Sequence, residues 1–198
     1  VFVSLEFVNS ALDQAQQYLA HLRHDTDTQK RIVAAAQAMV QTFQSGGRVI
    51  SCGNGGSLCD AMHFAEELSG RYRDNRPALA ALAISDASHM SCVANDYGYE
   101  EVFSRFVEAH GRKGDVFVGF STSGKSKNVI RAAAAAKTAG MTVVALTGRS
   151  ASEFGKMADI EICTSAGPYA DRVQELHIKV VHILIELVER SMFPQNYK

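Results

Sequence analysis

Arg48-Val49-Ile50-Ser51-Cys52, running into Gly53-Asn54-Gly55-Gly56-Ser57, is the passage from which the topology of this chain follows. A short β-branched run that stops in a glycine loop, with a helical pattern beyond it, reads as strand, loop and helix. The order recurs. Asp115-Val116-Phe117-Val118-Gly119-Phe120 is apolar enough for a central strand, Ser121-Thr122-Ser123-Gly124-Lys125-Ser126 follows it, and a helix runs through Ala132 to Ala136 as far as Gly140. Three more near-continuous apolar runs, 80–84, 142–146 and 159–163, are separated by helical or turn segments. Strands that are apolar along their whole length and alternate with helices imply an α/β fold with a parallel sheet buried on both faces.

Two helices precede the first strand. From about Leu5 to Phe43 the pattern is helical, with Leu12, Ala15, Leu19 and Leu22 on one face, a polar break at His24 to Thr28, then Ile32, Ala35, Ala36, Met39, Val40 and Phe43 on one side. Ser45-Gly46-Gly47 stops the second helix. The apolar region Val173 to Phe193 is long enough for a bilayer, but Glu175, Lys179, Glu186, Glu189 and Arg190 interrupt it, so it reads as a buried or bundled helix. The 198 residues fit one domain or two small ones.

Charge excludes one class of function. With 20 Lys+Arg against 21 Asp+Glu the formal net charge is −1, so no electrostatic glove for nucleic acid is present. The four cysteines, Cys52, Cys59, Cys92 and Cys163, form no CxxC pair and read as reduced thiols. No early segment has the pattern of an export signal, which points to the cytoplasm, and the opening Val1 suggests a processed or trimmed start.

A Gly/Ser loop at the carboxyl end of a parallel strand presents backbone N–H groups in one concave patch, where the following helix dipole favours an anion. Ser121 to Ser126 has this form, with hydroxyls on Ser121, Thr122, Ser123 and Ser126, and Gly124 letting the backbone approach a guest. A sugar or other small-molecule phosphate is the natural occupant. The plainer reading is that these Ser and Thr residues only cap a helix. Asn54-Gly55-Gly56-Ser57 occupies the equivalent place after another strand, so two polar loops flank one crevice outside the sheet. Neither loop matches the nucleotide fingerprints GxxxxGK[ST] or GxGxxG.

His63 and Glu67, four apart on the helix after the first loop, share a face that suits one metal ion or one substrate; taken alone such a pair is more often a solvated helix face, and Glu66 beside it reads that way. In the last helix Gln174 and His182 are separated by about 80° around the axis. Spacing does not choose them. Glu175 lies closer in angle to His182, Asp171 with Gln174 fits a cap and its N3 partner, and the residues by themselves favour His182 as a hydrogen-bonded structural histidine.

Taken together, SCGNGGS (51–57), DAMHFAEELSGRY (60–72), AISD (83–86), NDYG (95–98), STSGKS (121–126) and YADRVQELHIKVVHILIELVE (169–189) closely resemble the phosphoheptose isomerase family of the sugar isomerase (SIS) fold, over nearly the whole chain. The resemblance implies a single SIS domain over 1–198, with a helical arm (1–45) and an α/β core (46–198). It implies a three-layer α/β/α, flavodoxin-like sandwich with a five-stranded parallel sheet, in a homotetramer whose N- and C-terminal helices pack between subunits. It further implies that Asn54, Gly55, Gly56, Ser57, Glu67, Asn95, Asp96, Ser121, Thr122, Ser123, Ser126, Asp171 and Gln174 contact substrate. His63, Glu67, Gln174 and His182 match a zinc site, and Glu67 with His182 a catalytic pair. Three departures stand out: Leu58 where a close relative often has His, Lys125 for a commonly neutral residue, and the tail Met192 to Lys198, unlike the family's usual end.

The implied reaction converts D-sedoheptulose 7-phosphate to D-glycero-D-manno-heptose 7-phosphate, the first step towards ADP-heptose and the lipopolysaccharide core. Moving a proton between C1 and C2 through an enediol needs a carboxylate base and a proton donor at oxygen, roles for Glu67 and His182. Two rivals accompany this reading. One is a non-enzymatic SIS protein that binds the DnaA replication initiator, which shares a similar Phe193-Pro194 end; the other is a sugar-phosphate sensor that binds without turnover.

Overall fold

The structure, a computed structural model, describes residues 3–197; Val1, and Lys198 of the tail, lie outside them. Five strands form one sheet: β1 (Val49–Gly53), β2 (Ala81–Ala83), β3 (Val116–Ser121), β4 (Thr142–Thr147) and β5 (Ile160–Cys163). Their order is β2-β1-β3-β4-β5 and every pairing is parallel. The five runs read from sequence are these five strands, displaced by a residue or two at their ends. The 2-1-3-4-5 order is the flavodoxin-like one, whose switch point lies between the first and third strands.

The described residues form eight α-helices, the first lying on α2 and α8 and the rest flanking the sheet: α1 (Leu5–His24), α2 (Thr26–Gln44), α3 (Gly56–Ser69), α4 (Ala87–Tyr97), α5 (Ser104–His110), α6 (Lys127–Thr138), α7 (Glu153–Met157) and α8 (Ala170–Met192). Alternation along each strand divides the core in two. Val49, Val116, Val118, Phe120, Val144 and Leu146 face the layer of α2, α3 and α8, whereas Ile50, Cys52, Phe117, Val143 and Ala145 face α4 to α7. A strand buried on both faces needs side chains that tolerate both, which is why these runs do not alternate in polarity.

The break between the first two helices is tighter than the polar stretch implied. Asp25 alone separates them: its carboxylate caps α2 by accepting from the Thr28 backbone N at 2.9 Å, and the Thr28 hydroxyl donates to it at 2.7 Å. The α2 face is as read, with Ile32, Ala35, Ala36, Met39 and Val40 buried. On α1 only Leu22 is buried, and Leu5, Val8, Leu12 and Leu19 form an exposed apolar stripe at helical spacing. The four cysteines are unpaired, and no helix of the described residues is long and apolar enough to cross a membrane.

Candidate active site

Strands β1 and β3 are neighbours with Gly53 opposite Phe120, so the Asn54 and Ser121 loops leave the sheet side by side at the switch point. They are also stitched together. Asn54 and Asn128 exchange side-chain amide hydrogen bonds, 2.9 Å each way, and the Tyr99 hydroxyl donates to Asn54 Oδ1 at 3.1 Å. Neither Tyr99 nor Asn128 stood out in the sequence, because the contacts that matter lie 45 and 74 residues from their partner.

The simple capping reading of Ser121–Ser126 does not hold. Ser126 occupies the N-cap of α6 but its side chain makes no cap bond; the Ser121 hydroxyl donates to it instead, at 3.0 Å. The Val129 N–H donates to Asn128 Oδ1 at 3.0 Å, and the N–H groups of Lys127 and Asn128 at the start of α6 have no side-chain acceptor among the described residues, as an anion site requires. The reason given for Gly124 also changes. Its φ is +64°, and a Cβ there would lie 2.3 Å from Ser152, so its missing side chain makes room for the loop after β4 as well as permitting the turn.

Helices α3 and α8 pack together with Gly56 against Gln174 and His63 against His182, pairings seven residues apart on one helix and eight on the other. A Cβ on Gly56 would fall 2.7 Å from Gln174 Oε1, so the bare backbone seats that amide at the loop. About two turns further on, His63 Nε2 is 3.1 Å from His182 Nε2 and 3.4 Å from Glu67 Oε1. One donor atom from each of His63, Glu67 and His182 lies within 4.8 Å of the other two. Two imidazole nitrogens and a carboxylate oxygen at such separations are a donor set suited to Zn²⁺ with room for a further ligand. Gln174, eight residues and about 12 Å of helix rise before His182, is held against Gly56.

The surroundings tune this cluster. Burial raises the Glu67 pKa above the usual carboxylate value and the neighbouring Glu66 charge raises it further, with His63 acting in the opposite direction. Burial lowers the His182 pKa, assisted by His63, Lys179 and Arg73. Both shifts favour the neutral form of the group. Tyr72 stacks on the His182 ring, centroids 5.9 Å apart. The fully buried structural histidine of α8 is His177, with its Nε2 3.2 Å from the Thr147 carbonyl oxygen and its pKa depressed by burial to about 4. His182 is only partly buried and sits in the cluster instead.

The remaining alternatives resolve in the same way. Glu175 pairs with Arg172 at 2.6 Å, away from His182, and the N-cap of α8 is Tyr169, so Asp171 is inside the helix and is not its cap. Asp171 is exposed beside Arg172. Asn95 and Asp96 are exposed at the end of α4, joined by a 2.7 Å bond, three to four residues before the Tyr99 that reaches Asn54. Ser57 is buried in the first turn of α3, its N–H donating to the Asn54 carbonyl at 3.1 Å. Glu66 is solvated, as read, 3.9 Å from His63 Nδ1. Asp60 was overlooked, although 60, 63 and 67 share one helical face. Its Oδ2 is buried without a partner, and burial raises its pKa to about 6.

Residues 12–148 match the SIS domain family. A phosphoheptose isomerase of Sodalis glossinidius is 56% identical over 189 residues, covering 96% of this chain and 95% of that protein. The chain belongs to the phosphoheptose isomerase family of SIS-domain proteins. The phosphoheptose isomerase structure from Neisseria gonorrhoeae superposes with a TM-score of 0.86 at 37% identity, covering 93% of this chain and 97% of that one. The one from Francisella tularensis gives 0.90 at 32% identity, covering 96% and 100%. Family membership accounts for the fold, and the relatives' coverage extends through α8, which carries His182.

Proposed function

We propose that this chain is an aldose–ketose isomerase that interconverts D-sedoheptulose 7-phosphate and D-glycero-D-manno-heptose 7-phosphate. The observation that carries the reading is the meeting of Glu67 and His182, from helices far apart in sequence, within 4.8 Å of each other. Family membership supports the activity, with relatives named phosphoheptose isomerase over nearly the full chain.

In this account the phosphate rests on Ser121, Thr122, Ser123 and Ser126 and the N-terminus of α6, and Asn54 to Ser57, Asn95, Asp96, Asp171 and Gln174 contact the sugar. Glu67 removes the proton from the carbon beside the carbonyl and returns it to the neighbouring carbon; its raised pKa makes it the stronger base. His182, neutral because its pKa is depressed, holds one ring proton to give and one lone pair to accept, and so passes a proton between O1 and O2. Tyr72 keeps the imidazole plane fixed during that exchange.

His63, Glu67 and His182 fit zinc; Gln174, held against Gly56 about 12 Å of helix rise before His182, is not placed to complete that donor set within one chain and is assigned to the sugar. Zinc, when bound, supplies a positive charge that stabilises negative oxygen. A homotetramer is proposed on the apolar stripe of α1, where Leu12 is 63% exposed and Leu5 73% in the single chain. A cytoplasmic enzyme fits this reading.

Incubation with sedoheptulose 7-phosphate in deuterated water tests the chemistry. Aldose formation with deuterium entering at carbon is expected. Binding without exchange is the behaviour of a sensor, and it refutes the isomerase reading. Glu67→Gln protein that remains folded yet turns over normally removes Glu67 from the mechanism. Sedimentation as a stable monomer removes the tetramer.

A further inference from the structure

Arg76 follows α3 in a loop, and its guanidinium is completely buried. Nε donates to Glu189 Oε1 at 2.7 Å, Nη1 to the carbonyls of Leu68 (2.7 Å), Gly70 (3.1 Å) and Pro77 (3.2 Å), and Nη2 to the carbonyl of Glu67 at 2.6 Å. The last carbonyls of a helix have no partner within it, and they carry the negative end of its dipole. The guanidinium shares the end of α3 with the Leu79 N–H, which bonds the Leu68 carbonyl at 3.0 Å, and the Gly70 N–H, which bonds that of Glu66 at 2.7 Å; it alone holds the carbonyl of Glu67, the residue assigned as the base.

The other face of this pair is closed by the tail that departs from the family's usual ending. Glu189 is buried and accepts from the Tyr197 hydroxyl through Oε2 at 2.7 Å. The Tyr197 ring lies between two guanidinium groups, 4.4 Å from Arg190 and 5.8 Å from Arg73. Both arginines bond Glu186, at 2.9 and 2.8 Å. Arg73 also sits 5.1 Å over Tyr72, the ring stacked on His182. Asn196 adds a second tie, its Nδ2 donating to the Asn75 carbonyl at 3.2 Å, one residue before Arg76.

We propose that Arg76 is a positioning residue for Glu67, and that the docked tail, through Tyr197 and Glu189, holds Arg76 in place and so sets the turnover of the enzyme. The inference rests on the isomerase reading, with Glu67 as base. A helix end left to fray swings its side chains, and a shift of 1 Å at a reacting group can cost about 100-fold in rate. Arg76 bonds the main chain of Glu67 and neither it nor Tyr197 hydrogen-bonds the Glu67 carboxylate or the two imidazoles, so losing either alters the aim of Glu67 without removing a proposed substrate contact.

The test uses full-length Arg76→Lys, which keeps the charge and loses the fork, and Tyr197→Phe, which removes one oxygen. Expected are a fall in kcat of about 10-fold or more for Arg76→Lys and about 3-fold for Tyr197→Phe, with KM within about twofold in both. Amide hydrogen exchange over residues 64–70 is expected to quicken in both variants, a readout independent of turnover. An unchanged kcat in Tyr197→Phe, a change carried by KM alone, or unaltered exchange overturns the proposal. If Arg76→Lys does not fold, Tyr197→Phe carries the test by itself. Wild-type protein without isomerase activity defeats the functional reading, and the exchange measurement still decides whether the tail tethers α3.

Discussion

His177 makes the stability of this protein depend on pH in a defined window. It is fully buried, its Nε2 lies 3.2 Å from the Thr147 carbonyl oxygen, and its Nδ1 has no partner. Burial lowers its pKa from 6.5 to about 4. Between those values the unfolded chain binds a proton that the native chain refuses, so stability rises with pH through the window and is complete above about 6.5. Working the linkage with these two pKa values, the native state loses about 2.5 kcal/mol on going from pH 7.5 to pH 4.5, and about 3 kcal/mol once the pH is below both. His177→Gln retains an amide to donate to Thr147 and cannot titrate. Urea unfolding of both proteins at pH 7.5 and 4.5 isolates the contribution, because every carboxylate common to the two cancels. The variant is expected to lose about 2.5 kcal/mol less than the wild type on acidification. Parallel losses in the two proteins would refute the assignment, since the histidine would then be taking up its proton without unfolding.

Gly124→Ala forces a Cβ 2.3 Å from Ser152 at a φ of +64°; it is expected to cost about 2–4 kcal/mol in unfolding free energy and to raise KM for the sugar phosphate by displacing the loop. Zinc added to metal-free protein is expected to stabilise it by about 2.7 kcal/mol at a free concentration 100 times Kd, measured by the thermal midpoint. His63→Ala should abolish that shift. Asp60, whose folded pKa is raised to about 6 by burial, makes the opposite contribution to His177: stability falls as pH rises from about 4 to 6. Discounted for the solvent that still reaches it, Asp60→Asn is expected to stabilise the protein by about 1 kcal/mol at pH 7.5 in the same urea assay.

The sheet was legible because a strand buried on both faces has a local signature: Val116 to Phe120 and Thr142 to Leu146 are apolar without interruption whatever surrounds them. The loops after β1 and β3 were legible for a similar reason, glycine and hydroxyl residues marking where the chain turns and exposes its N–H groups. The exposed stripe on α1 was not distinguishable from a core face, since Leu12 and Leu19 have the same spacing in either role. Gly124 read as an open approach to a guest, when Ser152, 28 positions later, is what a Cβ there would strike. Periodicity does not contain that neighbour.

Local physics, acting over a few residues, determined the strands, the helix faces and the two polar loops. Which histidine of α8 joins His63 and Glu67 and which is buried in the core was decided only when α3 and α8 packed together. His177 and His182 are five residues apart, or about 140° around the axis, so one turns into the core under Thr147 and the other towards His63 and Glu67. The same packing brought Arg76 and Glu189 together across 113 positions. An isolated segment leaves such side chains equivalent to their neighbours; burial separates them, because removing an imidazole or a carboxylate from water fixes its partners and its charge.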